Sequence, residues 1–398
     1  MNKIIPVTQD IYYIGTNDRE TALFESIWPL PRGVSYNSYL IKDEKTVMLD
    51  CVKTGHLSGV HSRINDLLDE GEKIDYLVVN HMEPDHSGAI RELLCLFPEL
   101  KIVCNKKTVP FLENFYNITD GLVVVDDGDT LDLGTHKLQF HLTPMVHWPE
   151  TMVTYDTTDK VLFSADAFGG FGALEGGIFD DEVDVGYYED EILRYFTNIV
   201  AKYSPMVQRA IKKLAPLDIE VIAPTHGIVW KKNPQTIVAL YDRWSLQETE
   251  PGVTIVYASM YNNTARMAES IGLQLAREKV ENARVHDISR THPSFVLNDV
   301  WRFSGLMLGT PTYNLGVFPT MNNFIQMMGN KNIKHRHVGL FGTYGWSGGG
   351  VKGLRAFVEA QKGWELVEPV VEARCAAKED DYEQCRRLAC AMIHKVRG

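Results

Sequence analysis

The sequence is short of several things, and each shortage removes a class of answer. None of its six cysteines, Cys51, Cys95, Cys104, Cys375, Cys385 and Cys390, belongs to a Cys-x-x-Cys pair. A zinc ribbon or an iron–thiolate centre carried on this chain is therefore excluded, because both need thiolate tetrads; any metal must be held by His and carboxylate. No apolar run approaches the roughly 18 residues that a membrane span requires, and residues 1–6 lack the apolar stretch of a signal peptide. Positive charge is in deficit, with 40 Lys and Arg against 52 Asp and Glu and a formal net charge of −12. Such a chain has no electrostatic footprint for nucleic acid or anionic lipid. The expectation is a cytoplasmic chain with neither nucleic acid nor membrane as partner. No Gly-Lys-Ser/Thr follows a glycine-rich turn, so a nucleotide-hydrolysing P-loop is absent as well.

What is present suits two domains. The 398 residues exceed one ordinary core, and the texture changes near residue 250. Residues 241–253 end a helical pattern in polar residues and Pro251-Gly252, which places a domain over 1–250 and a second over 251–398. In the second, strands are expected at 254–258, 283–288, 305–309, 337–341 and 366–371, with helices such as 264–278, 318–328 and 382–396 between them. That alternation predicts a doubly wound parallel α/β sheet of five strands. The first domain reads as mixed α+β with two sheets and outer helices. Its strands are expected at 11–14, 38–42, 46–49, 74–80 and 219–223, with hairpins at 121–140 and 152–163. Helices are expected at 87–97, started by Ser87 as N-cap, and over 189–214.

The sharpest signal is His81-Met82-Glu83-Pro84-Asp85-His86, directly after the apolar run Tyr76–Asn80. A strand running into a tight turn would let His81, Glu83 and Asp85 converge by alternation. His147, Asp166 and His226 each follow a further strand. One such residue alone reads as a satisfied core or turn group; seven ligand-type side chains at strand ends read as a binuclear metal site.

The C-terminal half offers a second cluster. Ser259-Met260-Tyr261-Asn262-Asn263-Thr264 follows its first strand and opens a helix, a ready phosphate cradle of backbone N–H groups and hydroxyls. Asn262 tolerates the positive φ that such a loop needs. Thr310-Pro311-Thr312-Tyr313-Asn314 and Thr343-Tyr344-Gly345-Trp346-Ser347-Gly348 follow the third and fourth strands and would lie beside it at the carboxyl edge of the sheet. Small residues admit a flat ring there, and Tyr313, Tyr344 and Trp346 supply stacking surface. Together the three loops point to FMN.

The ligand pattern resembles the metallo-β-lactamase fold, whose hydrolases carry His-x-His-x-Asp-His and then His, Asp and His. Here Glu83 stands where those enzymes have a second His, which adds negative charge and a hard oxygen and favours iron or manganese over zinc. Glu83, Asp85 and Asp166 set three negative charges against the four of two ferrous ions, a balance suited to a change of oxidation state. A lactamase-like metal domain joined to a flavodoxin-like domain resembles the flavodiiron proteins (A-type flavoproteins) over essentially the whole chain. The intervals agree, with 60 residues between His86 and His147, 18 between His147 and Asp166, and 59 between Asp166 and His226. His147-Trp148-Pro149 and Tyr344-Gly345-Trp346 are similar to family signatures.

The resemblance implies an αββα sandwich followed by a flavodoxin-like sheet, with FMN and two irons per chain. It implies that His81, Glu83 and His147 bind one iron, that Asp85, His86 and His226 bind the other, and that Asp166 bridges. It implies reduction of dioxygen to water, of nitric oxide to nitrous oxide, or both. Rubredoxin or a similar protein would be the separate electron donor. A head-to-tail homodimer, alone or as a dimer of dimers, would bring the FMN of one chain to the irons of another. Glu25, Tyr195 and Trp346 correspond to family positions that shape the pocket or place protons, although Glu25 stands where some members have His. The competing expectation is a binuclear zinc or manganese hydrolase with an appended electron-transfer domain.

Overall fold

A computed structural model describes residues 4–397. The chain divides into a unit ending at Asp242 and a unit beginning at Arg243. This division falls earlier than Pro251-Gly252 suggested. Those two residues are not a linker: they sit inside the strand Glu250–Tyr257, whose pairing with its neighbour shifts register between Glu250 and Val253. A proline at the start of a strand, where a bulge interrupts the ladder, costs no needed donor.

The first unit holds two mixed sheets. The seven-stranded sheet runs, in spatial order, Ile5–Pro6, Ile11–Tyr13, Tyr39–Ile41, Val47–Leu49, Tyr76–Val78, Lys101–Asn105 and Leu122–Val125. The five-stranded sheet runs Thr130–Asp132, Lys137–Leu142, Met152–Asp156, Val161–Phe163 and Val221–Ala223. Their faces meet through side chains such as Tyr39, whose ring lies 5.4 Å from that of Phe163 and whose hydroxyl donates to the Pro224 carbonyl at 2.7 Å. Val47–Leu49, Met152–Asp156 and Val161–Phe163 are buried at every position, as expected of strands covered on both faces.

Three local expectations fail here, each for a physical reason. Leu122–Val125 and Thr130–Asp132 do not form a hairpin. The first pairs in parallel with Lys101–Asn105, and the second belongs to the other sheet, so Asp126–Asp129 is a crossing between sheets. Ser87 does not cap a helix over 87–97. A short helix Pro84–Ser87 precedes Ile90–Leu96, and Ser87 Oγ is engaged with the carbonyls of Met82 and Glu83 and with Tyr116 Oη. The region 189–214 is helical but broken, with a π turn at Phe196–Val200 and a 3₁₀ turn between Val185–Tyr195 and Ser204–Leu214. Such π turns cluster at functional sites.

The second unit has five parallel strands in the order Ala283–Asp287, Glu250–Tyr257, Phe303–Tyr313, His337–Tyr344, Glu365–Arg374. This is the 2-1-3-4-5 order of flavodoxin-like sheets. A sixth short strand, Gly316–Val317, folds back antiparallel on Thr312-Tyr313, so part of the expected loop 310–314 is an extended hairpin arm. The core packs Val253, Ile255 and Met307 against Met267, Ile271, Leu388 and Met392 of the helices Asn263–Arg277 and Glu379–Arg397. At the end of the helix Pro293–Arg302, buried Arg336 donates to the carbonyls of Val300 and Trp301. No carboxylate is needed, because its partners are orphan helix-end acceptors.

Candidate metal centre and flavin cleft

The seven predicted ligands come together, though not by strand alternation. The strand Tyr76–Val78 ends before His81, and the chain then turns through Glu83-Pro84 into a helix. His81 and Glu83 consequently join His147 and Asp166, whereas Asp85 joins His86 and His226. Buried Asp50 holds this turn, accepting from the Asn80 backbone N–H at 2.7 Å and from its amide at 2.9 Å. The other ligands ride on loops with uncommon backbone. Met145, Ala165 and Phe168 have φ of 68°, 51° and 68°, the kind of strain that a surrounding fold sustains at functional sites. Gly169 and Gly227 allow these loops to touch, since a Cβ on Gly169 would meet the Asp166 carbonyl at 3.1 Å and one on Gly227 would meet the Gly170 nitrogen at 3.1 Å.

Asp166 sits between the two groups. Its Oδ2 lies 3.1 Å from His147 Nε2 and 3.5 Å from His81 Nε2, while its Oδ1 lies 2.9 Å from His86 Nε2 and 3.6 Å from His226 Nε2. Glu83 Oε2 completes the first group at 3.3 Å from His81 and 3.1 Å from His147. Asp85 Oδ2 completes the second at 3.2 Å from His226 and 3.3 Å from His86.

The donor set fits two cations, and the proton positions say why. His226 Nδ1 must donate to the Ser35 carbonyl at 2.7 Å, and His81 Nδ1 donates to the Glu150 carboxylate at 2.8 Å. Both rings therefore aim Nε2 lone pairs inward when neutral. His86 Nε2 and His226 Nε2 face each other at 3.1 Å, and both oxygens of Asp85 are buried without a hydrogen-bond partner among the described residues. Lone pairs converging on one another need a cation between them.

Charge says the same. Burial alone would push the His86 and His147 imidazoles down. The carboxylates of Asp85 and Asp166 around His86, and of Asp166 and Glu83 around His147, instead lift both to about 9. Asp166, despite its burial, is held well below the usual carboxylate range by His86 and His81. Without metal the cluster stores protons, and binding metal displaces them. A third grouping, His136, Asp156 and Asp159, has a different character. Asp156 Oδ2 there accepts from His136 Nδ1 at 3.1 Å and from the Asp159 N–H at 2.8 Å, closing an ion pair and a turn.

Above the ligands lies a cavity of about 440 Å³ whose lining includes Phe24, Glu25, Tyr36, Lys53, Glu83 and Asp85. Glu25 stands in the turn between Leu23–Phe24 and Trp28–Pro29 with φ 49°, held by the Trp28 indole N–H at 2.9 Å. Burial, then the charge of Glu83 beside it, raises its carboxyl to about 7. Tyr195 is fully buried at the end of the helix before the π turn. Its ring lies 5.4 Å from His226, and its hydroxyl has no hydrogen-bond partner among the described residues. Trp346 belongs to the other unit.

In that unit a cleft of about 430 Å³ opens at the carboxyl edge of the parallel sheet. Ser259, Met260, Tyr261, Asn263 and Thr264 line it, with Pro311, Thr312, Tyr313, Asn314, Thr343, Tyr344, Gly345 and Trp346. Cys375 also lines it, a residue that no motif singled out. Four expected residues are outside the lining. Asn262 shapes the loop from behind with φ 64°. Thr310 is buried in its strand, with its hydroxyl accepting from the Phe318 N–H at 3.2 Å. Gly348 faces the Glu372 carboxylate, which a Cβ would meet at 3.3 Å, and Ser347 follows Trp346 away from the cleft wall. Asn263 begins the helix at the cleft, and Thr264 and Thr343, which both line it, hydrogen-bond each other through their hydroxyls at 3.0 Å. Among the described residues no Lys or Arg lines the cleft, so a phosphate there is met by amides and hydroxyls. Tyr261 and Trp346 are 83% and 86% exposed, two large aromatic surfaces of the kind that a flat ring covers.

Family models agree with this division. One described as ODP family beta lactamase matches residues 34–227, and one described as Flavodoxin matches residues 255–388. The anaerobic nitric oxide reductase flavorubredoxin of Escherichia coli O1:K1 / APEC is 35% identical over 388 residues, which cover 96% of this chain and 80% of that protein. The chain belongs to the flavodiiron protein family. Two solved structures extend the likeness to the whole fold. The rubredoxin oxygen:oxidoreductase of Desulfovibrio gigas superposes with a TM-score of 0.94 at 28% identity, covering 99% of each chain. The flavodiiron protein of Giardia intestinalis superposes with a TM-score of 0.92 at 26% identity, covering 100% of this chain and 97% of that one. Membership carries FMN for the flavodoxin half and a diiron centre for the lactamase-like half. A hydrolase reading leaves the flavin cleft without a purpose. Among the described residues, no helix is long and apolar enough to cross a membrane.

Proposed function

We propose that this flavodiiron protein reduces dioxygen to water, nitric oxide to nitrous oxide, or both, with His81, Glu83 and His147 holding one iron, Asp85, His86 and His226 the other, and Asp166 shared. The observation that carries the reading is the double approach of Asp166, one oxygen toward each group of ligands. When bound, the irons would supply coordination positions and electrons for the gas, and FMN would relay those electrons from a donor.

The chain's own residues supply the rest. Asp166 is locked by the Thr225 hydroxyl on Oδ1 at 2.7 Å, so the shared carboxylate cannot swing toward one side. Phe24, Tyr36 and Tyr195 set rings 5.5, 5.9 and 5.4 Å from His226 and exclude water from that flank. Both reductions consume protons, and Glu25, whose carboxyl burial raises in the metal-free chain, stands at the cavity wall as the proposed proton donor. A head-to-tail dimer, in which the C-terminal unit of one chain serves the N-terminal unit of another, is the proposed arrangement that gives Trp346 its place at the metal centre. Rubredoxin or a similar small redox protein is the proposed donor, and the cytoplasm the proposed compartment.

Metal and flavin analysis of the purified protein tests this reading. About two irons and one FMN per chain are expected; zinc or manganese in place of iron would return the hydrolase alternative.

A further inference from the structure

The two groups of candidate ligands are supported unequally. In the second, His226 leans on a neutral acceptor, the Ser35 carbonyl, and His86 Nδ1 has no hydrogen-bond partner among the described residues. In the first, His81 leans on a carboxylate. Glu150 is 1% exposed, and its Oε1 accepts from His81 Nδ1 at 2.8 Å and from the Met82 backbone N–H at 3.0 Å. Its own backbone is fixed in turn, since its carbonyl accepts from the Asn105 amide at 2.5 Å. Among the described residues Glu150 Oε2 is buried with no hydrogen-bond partner, so His81 and the Met82 N–H are what the carboxylate engages. Counting carboxylates that touch a histidine of each group, the first position has Glu83, Asp166 and Glu150, and the second has Asp85 and Asp166.

We propose that Glu150 is a positioning residue that fixes the tautomer of His81, strengthens it as a donor, and makes the position of His81, Glu83 and His147 the one that better holds the more oxidised ion. The physical ground is general. A carboxylate behind a metal-binding imidazole raises its basicity, and losing it costs roughly 10–100-fold in metal affinity. An added negative charge in a dry site also favours the higher oxidation state. The inference rests on the diiron reading of the cluster.

The test compares the parent holoprotein with Glu150→Gln and Glu150→Ala. Glu150→Gln keeps an oxygen that can accept from His81 and Met82 but removes the charge. It is expected to retain both irons while the midpoint potential of the diiron couple, followed by the EPR signal of the mixed-valent state, moves upward. Glu150→Ala removes both acceptor and charge. It is expected to lose iron to a chelator roughly 10–100-fold more readily. If Glu150→Ala does not fold, the potential of Glu150→Gln decides alone. An unchanged potential in Glu150→Gln overturns the proposal, as does parent-like iron retention in a folded Glu150→Ala. A parent protein that binds no iron would instead defeat the diiron reading itself.

Discussion

The metal centre and the flavin cleft solve opposite problems. The first gathers charged and imidazole groups in a buried place, at a cost that only cations repay. It therefore needs strained loops at Met145, Ala165 and Phe168, glycines at 169 and 227, and supports such as Asp50, Thr225 and Glu150. The cleft gathers uncharged small residues and exposed aromatics at the edge of a sheet that packs on a hydrophobic core of its own. One region is assembled around its cofactor's charge and the other around its cofactor's shape. Perturbing a single group should accordingly be severe in the first and graded in the second.

The largest effect is expected from Asp166→Asn, which takes away the charge shared between the two groups. Iron per chain and gas-reductase turnover should both fall by roughly 100-fold or more, beyond what a lost supporting residue costs, while FMN content stays at the parent level. Elemental analysis and flavin absorbance on one sample check both halves; parallel loss of FMN would mean that the regions are not separable.

Ser259→Ala with Thr264→Ala should lower FMN affinity by roughly tenfold to thirtyfold, the worth of two hydrogen bonds at about 1 kcal/mol each, and leave iron in place. A fluorescence titration of the flavin-free protein measures it. A collapse of FMN binding as abrupt as the iron loss above would break the contrast.

A third test uses pH. Glu25 has its carboxyl raised from 4.5 to about 7 in the folded, metal-free chain. A raised folded value means that its contribution to stability is complete below the ordinary value and is lost as pH rises through about 7. Metal-free protein should therefore lose melting temperature between about pH 5 and about pH 8, and Glu25→Gln should lose less across the same window. Equal slopes for the two proteins would remove Glu25 from the account.

The smallest effect is expected at Tyr195, whose buried hydroxyl has no partner. Tyr195→Phe should leave stability unchanged or raise it by about 1 kcal/mol, with iron retained. Chemical denaturation reads the first and metal analysis the second. A marked destabilisation would show that the hydroxyl is satisfied after all.

The same contrast governs what could be read before the fold was known. Candidate metal ligands declare themselves by residue type, so the grouping of His81, Glu83, Asp85, His86, His147, Asp166 and His226 was legible without knowing that Glu83-Pro84 turns the chain and divides them into two clusters. Their supports were not, because Glu150 after Trp148-Pro149, Asp50 after a strand and Ser35 through its carbonyl look like any turn residue. The cleft was legible as three loops at one sheet edge. Its details were not, since Thr310 and Thr312-Tyr313 have the β propensity that extends the third strand into them. The strand Leu122–Val125 misled for the same kind of reason: Asp126-Asp127-Gly128 has the chemistry of a hairpin turn, and only the sheet partners show that it passes between layers.

The most direct test of the whole account is a single turnover. The protein, loaded with iron and FMN and reduced anaerobically, is mixed with dioxygen and with nitric oxide in separate stopped-flow experiments. The account predicts that at least one gas reoxidises the flavin and the irons together, within one burst. A fully loaded, reduced protein that stays reduced in the presence of both gases would contradict it.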